Sequence, residues 1–283
     1  MNFFIQVMVN GVVLGSFIAL MALGLVLIFG TLRVINFAHG EFFMLGAFTV
    51  YYATLWGAPF WVALPMAFAV AGIVGAAVGR GILERFRGSI LAGAVAAIAL
   101  SSLMQNAGWA TVGGEHRVVA LPIRSVVHIG DTTIEGYRLV VIGLTAAALG
   151  VLYLFLTQTW SGRAIRALEE NPYAAELMGV RRTLTVLIGF GLGTGLAGFS
   201  GAVMAPLVEI SPSMGFLPLL WGFVVVILGG TGRYVGAAIA ALVVGIQESL
   251  TIAYWRSDMV VLMSFALVTV AILLRRGVRP GAE

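Results

Sequence analysis

Ionisable and strongly polar side chains are rare inside the apolar runs of this sequence, and these few residues are the ones that could do chemistry. His39 and Glu41 follow Asn36 near the start of the second run, on either side of Gly40. A charged group at mid-membrane costs about 2.5–3.5 kcal/mol on insertion scales. Asn36 and Gly40 predict an irregular helix start, which lipid tolerates only where it faces protein or water. Asn36, His39 and Glu41 are therefore candidates for a translocation path or inner gate, and a structural cluster at the membrane interface is the alternative.

Two further polar pairs lie deeper in the apolar runs, namely Gln105 with Asn106 and Gln247 with Glu248. Adjacent residues of a helix point about 100° apart, so only one of each pair can line a given cavity. Hydrogen bonding between neighbouring helices is the alternative to a pathway role. Glu248 is also the one deep carboxylate that a rival function, ion-driven secondary transport, could use.

Several classes of chemistry are excluded by what the sequence lacks. It has no Cys, and all 16 basic residues are Arg, which removes thiolate sites, a P-loop lysine and a Schiff-base lysine. The three His residues are scattered without metal-ligand spacing. Residues 198–201 resemble the GxSG of rhomboid-type proteases, but no His follows Ser200 to act as a base. We therefore predict no catalytic residue, no cofactor and no metal, and interpret Gly198 and Gly201 as packing residues.

The elements that must position these residues are membrane helices. The chain has 283 residues, 60% hydrophobic and 10% charged, whereas soluble domains average roughly 45–50% apolar and about 25% charged. A hydrocarbon core roughly 30 Å thick needs roughly 20 apolar residues per helix. We predict an all-α polytopic transmembrane bundle of about eight to nine segments, forming one domain over residues 1–283. The apolar runs are 4–29, 35–56, 60–79, 90–111, 137–157, 183–206, 216–229, 236–255 and 259–274, and the seventh is too short to cross as a straight helix.

Arginine distribution predicts the orientation. With the N-terminus outside and the C-terminus inside, twelve arginines face the cytoplasm and four the outside, as the positive-inside rule requires. The cytoplasmic set is Arg33, Arg80, Arg85, Arg87, Arg163, Arg166, Arg181, Arg182, Arg233, Arg275, Arg276 and Arg279, and the outer set is Arg117, Arg124, Arg138 and Arg256. The first run has no basic region before it and is predicted to be a retained span rather than a signal peptide.

Small residues predict how the helices pack. Gly189 with Gly193, Gly191 with Gly195, and Gly75 with Gly79 form small-xxx-small pairs, through which helices approach closely in lipid. Residues 26–33 also resemble residues 226–233, which suggests an internal repeat, although eight residues can coincide by chance.

Two long loops carry further information. Residues 162–182 predict two short helices, the first ending before Asn171, which caps a second that starts at Pro172 and ends at Gly179. Such a pair makes a rigid lever on the cytoplasmic face, and an amphipathic loop lying on lipid headgroups is the alternative. The outer loop, residues 112–136, predicts a β-hairpin around Gly130 and Asp131.

Several segments resemble the LivH-type permease subunit of branched-chain amino acid ABC importers. The most specific is the block from Asn36 to Gly46, INFAHGEFFMLGA with its flanks. The similarity covers nearly the whole chain. The other matching residues are Asn10, Gly11, Gly15, Ser16, residues 19–25, residues 162–167, Asn171, Pro172, Ala174, Ala175, residues 177–179, residues 197–201, residues 227–230, Glu248 and Ser249.

The resemblance implies a membrane permease with no catalysis of its own, carrying leucine, isoleucine and valine, or else amides, urea or other amino acids. It implies as partners a second, LivM-like permease, two cytoplasmic ATPase subunits and a periplasmic binding protein, in the bacterial inner membrane. Residues 162–182 would be the coupling element that fits the ATPase groove. Tyr173 stands where such permeases usually carry an acidic residue. The coupling residues implied are Arg163, Arg166, Glu169, Glu170, Asn171, Pro172, Ala174, Ala175, Glu176 and Gly179.

Overall fold

The computed structural model describes residues 2–32, 34–86, 89–115, 117–129, 132–230 and 232–277. These residues form eleven α-helices, two short 3-10 turns and one β-hairpin. The helices are α1 (Asn2–Leu32), α2 (His39–Leu55), α3 (Phe60–Gly81), α4 (Ile90–Val112), α5 (Gly136–Gln158), α6 (Trp160–Glu170), α7 (Pro172–Leu177), α8 (Arg182–Met204), α9 (Phe216–Gly229), α10 (Tyr234–Tyr254) and α11 (Val260–Gly277), and the strands are β1 (Val126–Ile129) and β2 (Thr132–Glu135). Of the sequence predictions, those on Arg33, Arg87, His116, Gly130, Asp131, Thr231, Arg279 and the side chains of Arg275 and Arg276 lie outside the described residues.

The prediction of an all-α polytopic protein is confirmed, since each predicted apolar run contains a helix. Six of the described helices, namely α1, α3, α4, α5, α8 and α10, are long and apolar enough to cross a membrane. Of these six, α1 and α8 are the most buried, and α4 and α5 are the least buried. The number of eight to nine membrane segments and the orientation of the termini stay predictions.

The two ends of the bundle differ. One end carries the predicted hairpin, in which Val126 pairs with Glu135, and we call it the hairpin end. There Arg117 donates to the Tyr52 hydroxyl over 2.6 Å, and its main chain pairs with Ile210. The other end carries α6 and α7, and we call it the α6 end. The hairpin prediction is confirmed, and the two predicted loops lie at opposite ends.

Helices α1 and α8 cross in direct backbone contact. A Cβ atom on Gly193 would lie 2.6 Å from the carbonyl oxygen of Gly24, and one on Gly24 would lie closer still to the Gly193 oxygen. Lipid gives helices no hydrophobic drive to associate, so close packing of this kind is what joins them. The predicted glycine pairs of α8 divide between two neighbours: Gly189 and Gly193 face α1, whereas Gly191 and Gly195 face α3.

A break in the chain follows α1. Residues 34–38 are not helical, and α2 begins at His39, whose Nε2 atom lies 3.1 Å from the carbonyl oxygen of Met21. Met21 is roughly 16 Å along α1 from its end at Leu32, which is about half the thickness of a hydrocarbon core. The predicted irregular start is confirmed, and α2 therefore begins deep inside the bundle.

A second break follows α8. Residues 205–215 are not helical, and α9 then has only 14 residues. Its preceding residue, Gly215, touches the backbone of Gly40 in the first turn of α2, and neither glycine has room for a Cβ atom. The seventh apolar run is thus short because its helix starts in the interior, opposite the start of α2.

Helices α1–α4 form one group and helices α8–α11 form a second. Both groups have the same arrangement of helices, and they run in opposite directions through the bundle. In each group a central helix is followed by a break, a shorter helix, and a helix that packs on the central helix of the other group, α3 on α8 and α10 on α1. Inverted repeats of this kind recur among membrane transport proteins. The repeat predicted from residues 26–33 and 226–233 was wrong: those segments end α1 and α9, whereas the counterpart of α1 is α8.

The α1–α8 contact predicts an unusual response to substitution. Replacing Gly by Ala inside a helix ordinarily stabilises by roughly 0.5–1 kcal/mol. We expect Gly193→Ala to destabilise instead, by about 1–3 kcal/mol, because its methyl group must displace the Gly24 backbone. Gly143→Ala in α5, where a Cβ atom meets nothing within 4 Å, is the control. The measurement is the midpoint of denaturant unfolding in detergent, and equal stability of the two variants would contradict the contact.

Candidate functional site

The predicted pair of short helices is present at the α6 end. Helix α6 starts after Thr159, whose hydroxyl accepts a hydrogen bond from the Gly162 amide over 3.0 Å. Asn171 ends α6 and caps α7, since its Oδ1 atom accepts from the Ala174 amide over 3.1 Å. Pro172 is the first residue of α7, and Gly179, which lies just beyond the end of α7, has a φ of +88°. The prediction from the Asn-Pro step and the glycine is confirmed.

One face of α6 anchors the pair to the bundle. Ala164, Ile165 and Leu168 are buried, and they follow the helical spacing of an amphipathic face. A Cβ atom on Gly162 would meet the backbone of Leu156 in α5, so α6 lies tightly against the end of α5. Helix α6 is therefore held to the bundle along its length.

Helix α7 instead projects an apolar surface outward. Tyr173, Leu177 and Met178 are 73%, 71% and 84% exposed, and we call these three residues the apolar tip. This exposed apolar surface was not predicted from the sequence, although Tyr173 and Leu177 are four residues apart and thus on one face of a helix. Of the predicted coupling residues between them, Ala174 is exposed and Ala175 is buried.

Exposed charged side chains lie on the same two short helices as the apolar tip. Arg163, Glu170 and Glu176 are exposed. The Arg163 guanidinium lies 5.8 Å from the centre of the Trp160 ring, and Glu176 accepts a hydrogen bond from Arg182 over 3.0 Å. The segment that carries the apolar tip thus also carries exposed charges of both signs, and this mixture is typical of a surface that binds protein.

Glu169 is placed differently from the other predicted coupling residues. Its carboxylate points into the bundle, where it accepts a hydrogen bond from the Tyr234 hydroxyl of α10. A Cβ atom on Gly30 of α1 would lie 2.7 Å from the Glu169 Cγ atom. Burial raises the pKa of the Glu169 carboxyl to about 7, and the neighbouring Glu170 adds to that shift, whereas the Tyr234 hydrogen bond and Arg166 oppose it. Glu169 thus connects α6 to both α1 and α10.

The predicted gate residues lie where α2 begins. Asn36 caps the break by accepting from the Ala38 amide over 3.1 Å, and His39 is fully buried against α1 beside Gly24. Glu41 points elsewhere, accepting from Ser101 of α4 over 2.8 Å. As predicted, His39 and Glu41 do not share a face. Their role at a gate stays a prediction, because these contacts equally hold three helices together.

The remaining predicted pathway residues are spread through the bundle. Gln247 accepts from Ser264 of α11 over 3.0 Å, which is the interhelical hydrogen bond offered as the alternative. Glu248 is 4% exposed, and its Oε2 atom has no partner among the described residues. Gln105 is partly buried, whereas Asn106 is exposed and donates to the Ser102 carbonyl of its own helix. The structure does not gather these four residues into one cavity.

Ser200 has a structural role, and its neighbours Gly198 and Gly201 pack against other helices as predicted. Its hydroxyl is fully buried and donates to the Phe17 carbonyl of α1 over 2.9 Å. A Cβ atom on Gly198 would meet Ala71 of α3, and one on Gly201 would meet the Phe43 carbonyl of α2. The GxSG segment therefore joins α8 to three of its neighbours, α1, α2 and α3.

Comparison with known proteins gives a consistent result. A family model for the permease component of branched-chain amino acid transport systems matches residues 7–273. The permease protein LivH of the high-affinity branched-chain amino acid transport system of Escherichia coli K12 is 31% identical over 96% of this chain and 94% of its own length. BraD of Pseudomonas aeruginosa is 27% identical over the same shares.

A second kind of permease is also similar. LivM of Salmonella typhimurium is 28% identical over 82% of this chain and 60% of its own length. No solved structure matches the chain. The resemblance inferred from the residues is confirmed, and this multi-pass membrane protein belongs to the family of branched-chain amino acid transport permeases.

Proposed function

We propose that this chain is one permease subunit of an ATP-driven importer in the bacterial inner membrane, and that it carries leucine, isoleucine and valine. Its partners would be a second, LivM-like permease, two cytoplasmic ATPase subunits and a periplasmic binding protein. The family match and the names of the relatives support the substrate class. The similarity to both LivH and LivM supports a pair of related permeases.

The apolar tip is the observation that carries the ATPase part of the proposal. Three apolar side chains at 71–84% exposure are held outside the bundle by a capped, six-residue helix. Exposed apolar clusters rimmed by charge mark interaction sites. Lipid headgroups are a poorer match, because Glu170 and Glu176 stand beside the tip and would be repelled by an anionic surface.

Charge distribution supports a cytoplasmic position for the α6 end. Of the described arginines, the α6 end holds the larger share, as the positive-inside rule expects of the cytoplasmic side. These arginines are Arg80, Arg85, Arg163, Arg166, Arg181, Arg182 and Arg233, whereas Arg117, Arg124, Arg138 and Arg256 lie towards the hairpin end. In this orientation the N-terminus is outside, and the hairpin faces the binding protein.

Glu169 is the connection through which movement of α6 would reach the bundle. A push on the apolar tip moves α7 and α6 together, because Asn171 joins them within one capped turn. The Glu169 carboxylate links α6 to Tyr234 at the start of α10 and lies over Gly30 near the end of α1. Helix α1 in turn contacts α8 at Gly24, so displacement passes to both repeats.

Cross-linking tests the docking surface directly. The chain has no Cys, so a single introduced cysteine reports on one position. We expect Met178→Cys, labelled with a photoactivatable maleimide, to cross-link to the co-expressed ATPase subunit. Trp255→Cys, which is 68% exposed at the hairpin end, is the matched control and should not.

Loss of the tip should also uncouple the complex. Replacing both Tyr173 and Leu177 by Ser is expected to reduce substrate-stimulated ATPase activity at least tenfold, since buried aromatic and apolar anchors carry most of an interface's energy, about 2 kcal/mol or more each. Unchanged stimulation with no cross-link at Met178 would show that α7 is not the docking element.

The position of Glu169 predicts a pH dependence. Its pKa of about 7 lies above the ordinary value of 4.5, so the folded chain binds this proton more tightly than the unfolded chain. Its contribution to stability is therefore full below about pH 4.5 and is lost as pH rises to about 7. Glu169→Gln, which keeps an acceptor for Tyr234, should remove this loss.

The measurement is the midpoint of thermal unfolding across this pH range for the wild type and Glu169→Gln. The groups facing Glu169 are Arg166, Glu170 and Tyr234. Glu115→Gln is the control, because Glu115 is exposed and is not one of these groups. We expect the difference in unfolding midpoint between the wild type and Glu169→Gln to grow as the pH rises. Parallel profiles would contradict the buried position of the carboxyl.

A further inference from the structure

A groove runs along the outside of the bundle between α5 and α10. It encloses about 740 Å³, and Leu23 of α1 forms part of its floor. Its walls are apolar, with Leu149 and Leu156 on α5 and Ile239 and Leu242 on α10. Pockets that hold single ligands span roughly 300–1,000 Å³, so this groove is large enough for one.

The groove is open to the membrane rather than to water. Tyr153, Val235 and Ile239 along its rim are 61%, 64% and 58% exposed. They lie on helices long and apolar enough to cross a membrane. A hydrocarbon chain is therefore the natural occupant of the apolar part.

The α6 end of the groove is cationic. Arg166 of α6 and Arg233, which directly precedes α10, both line it. The Nε atom of Arg166 is buried and has no hydrogen-bond partner among the described residues. Arg233 is exposed, and the positive end of the α10 dipole lies beside it. An anion with an oxygen acceptor would satisfy Arg166 and be attracted by both guanidinium groups.

We propose that this groove binds an anionic phospholipid, with one acyl chain between α5 and α10 and the phosphate at Arg166 and Arg233. The match lies in charge and polarity together, because one end of the groove offers two cations and the rest is lined mainly by apolar side chains. A zwitterionic lipid has no net charge to place there, and free phosphate has no chain for the groove. Basic pockets between membrane helices are known to hold anionic headgroups. The site does not depend on an ATPase partner.

Lipid binding to the purified full-length chain tests the cationic end. In native mass spectrometry from detergent, we expect phosphatidylglycerol to be retained about thirtyfold more than phosphatidylcholine, because each arginine near an anionic headgroup contributes about 1 kcal/mol. Arg166→Gln with Arg233→Gln should abolish this preference. Arg80→Gln with Arg181→Gln, two exposed arginines outside the groove, should keep it.

A second variant tests the apolar part without touching the arginines. Gly150 lines the groove, and a Cβ atom there meets nothing within 4 Å. Gly150→Trp should fill the groove and reduce phosphatidylglycerol retention, whereas Gly143→Trp on the same helix should not. This pair keeps the test valid if the double arginine variant fails to fold.

Three results would overturn the proposal. Equal retention of phosphatidylglycerol and phosphatidylcholine would remove the anionic preference. Stabilisation by inorganic phosphate alone, equal to that by the lipid, would make this a simple anion site. A cross-link from Ile239→Cys to the second permease in the assembled importer would show that a protein helix, not a lipid, fills the groove.

Discussion

The close backbone contact between α1 and α8 is the constraint on which the rest of the structure depends. Gly24 and Gly193 each lack the Cβ atom that would collide with the other's carbonyl oxygen. With these helices joined, their outer faces receive α10 and α3, and the breaks that follow them bring Gly40 and Gly215 together in the interior. Two groups of opposite direction thus share one centre, built from packing because lipid supplies no hydrophobic drive.

The Glu169 carboxylate gives the α6 end a polar connection to that centre. The two short helices keep the apolar tip in place because α6 is buried along one face and because the Glu169 carboxylate lies between Tyr234 and Gly30. Helices α1 and α10 contact each other extensively, so this connection is anchored to a rigid pair. A force applied at the tip therefore has a continuous packed route to the α1–α8 crossing.

Much of the fold and of the α6 end could be predicted from the sequence, because the sequence patterns that indicate them are local. The apolar runs, the Asn171-Pro172 step with Gly179, the hairpin and the packing glycines each depend on neighbouring residues. Which helix each glycine meets could not be predicted, since spacing shows a face and not the partner on it. The inverted repeat was not predicted, because α1 and α8 correspond in how they pack, in opposite directions, and not in their amino-acid sequences. The burial of Glu169 and the exposure of the apolar tip were missed because both depend on where α6 docks.

The central claim is that this chain is a passive permease moved by ATPases that bind its α6 end. The most direct test is leucine uptake into proteoliposomes, comparing the assembled importer with and without ATP and the purified chain alone. The account predicts uptake only with the complete assembly and ATP. Uptake at the full rate by the purified chain, with no ATPase present, would contradict it.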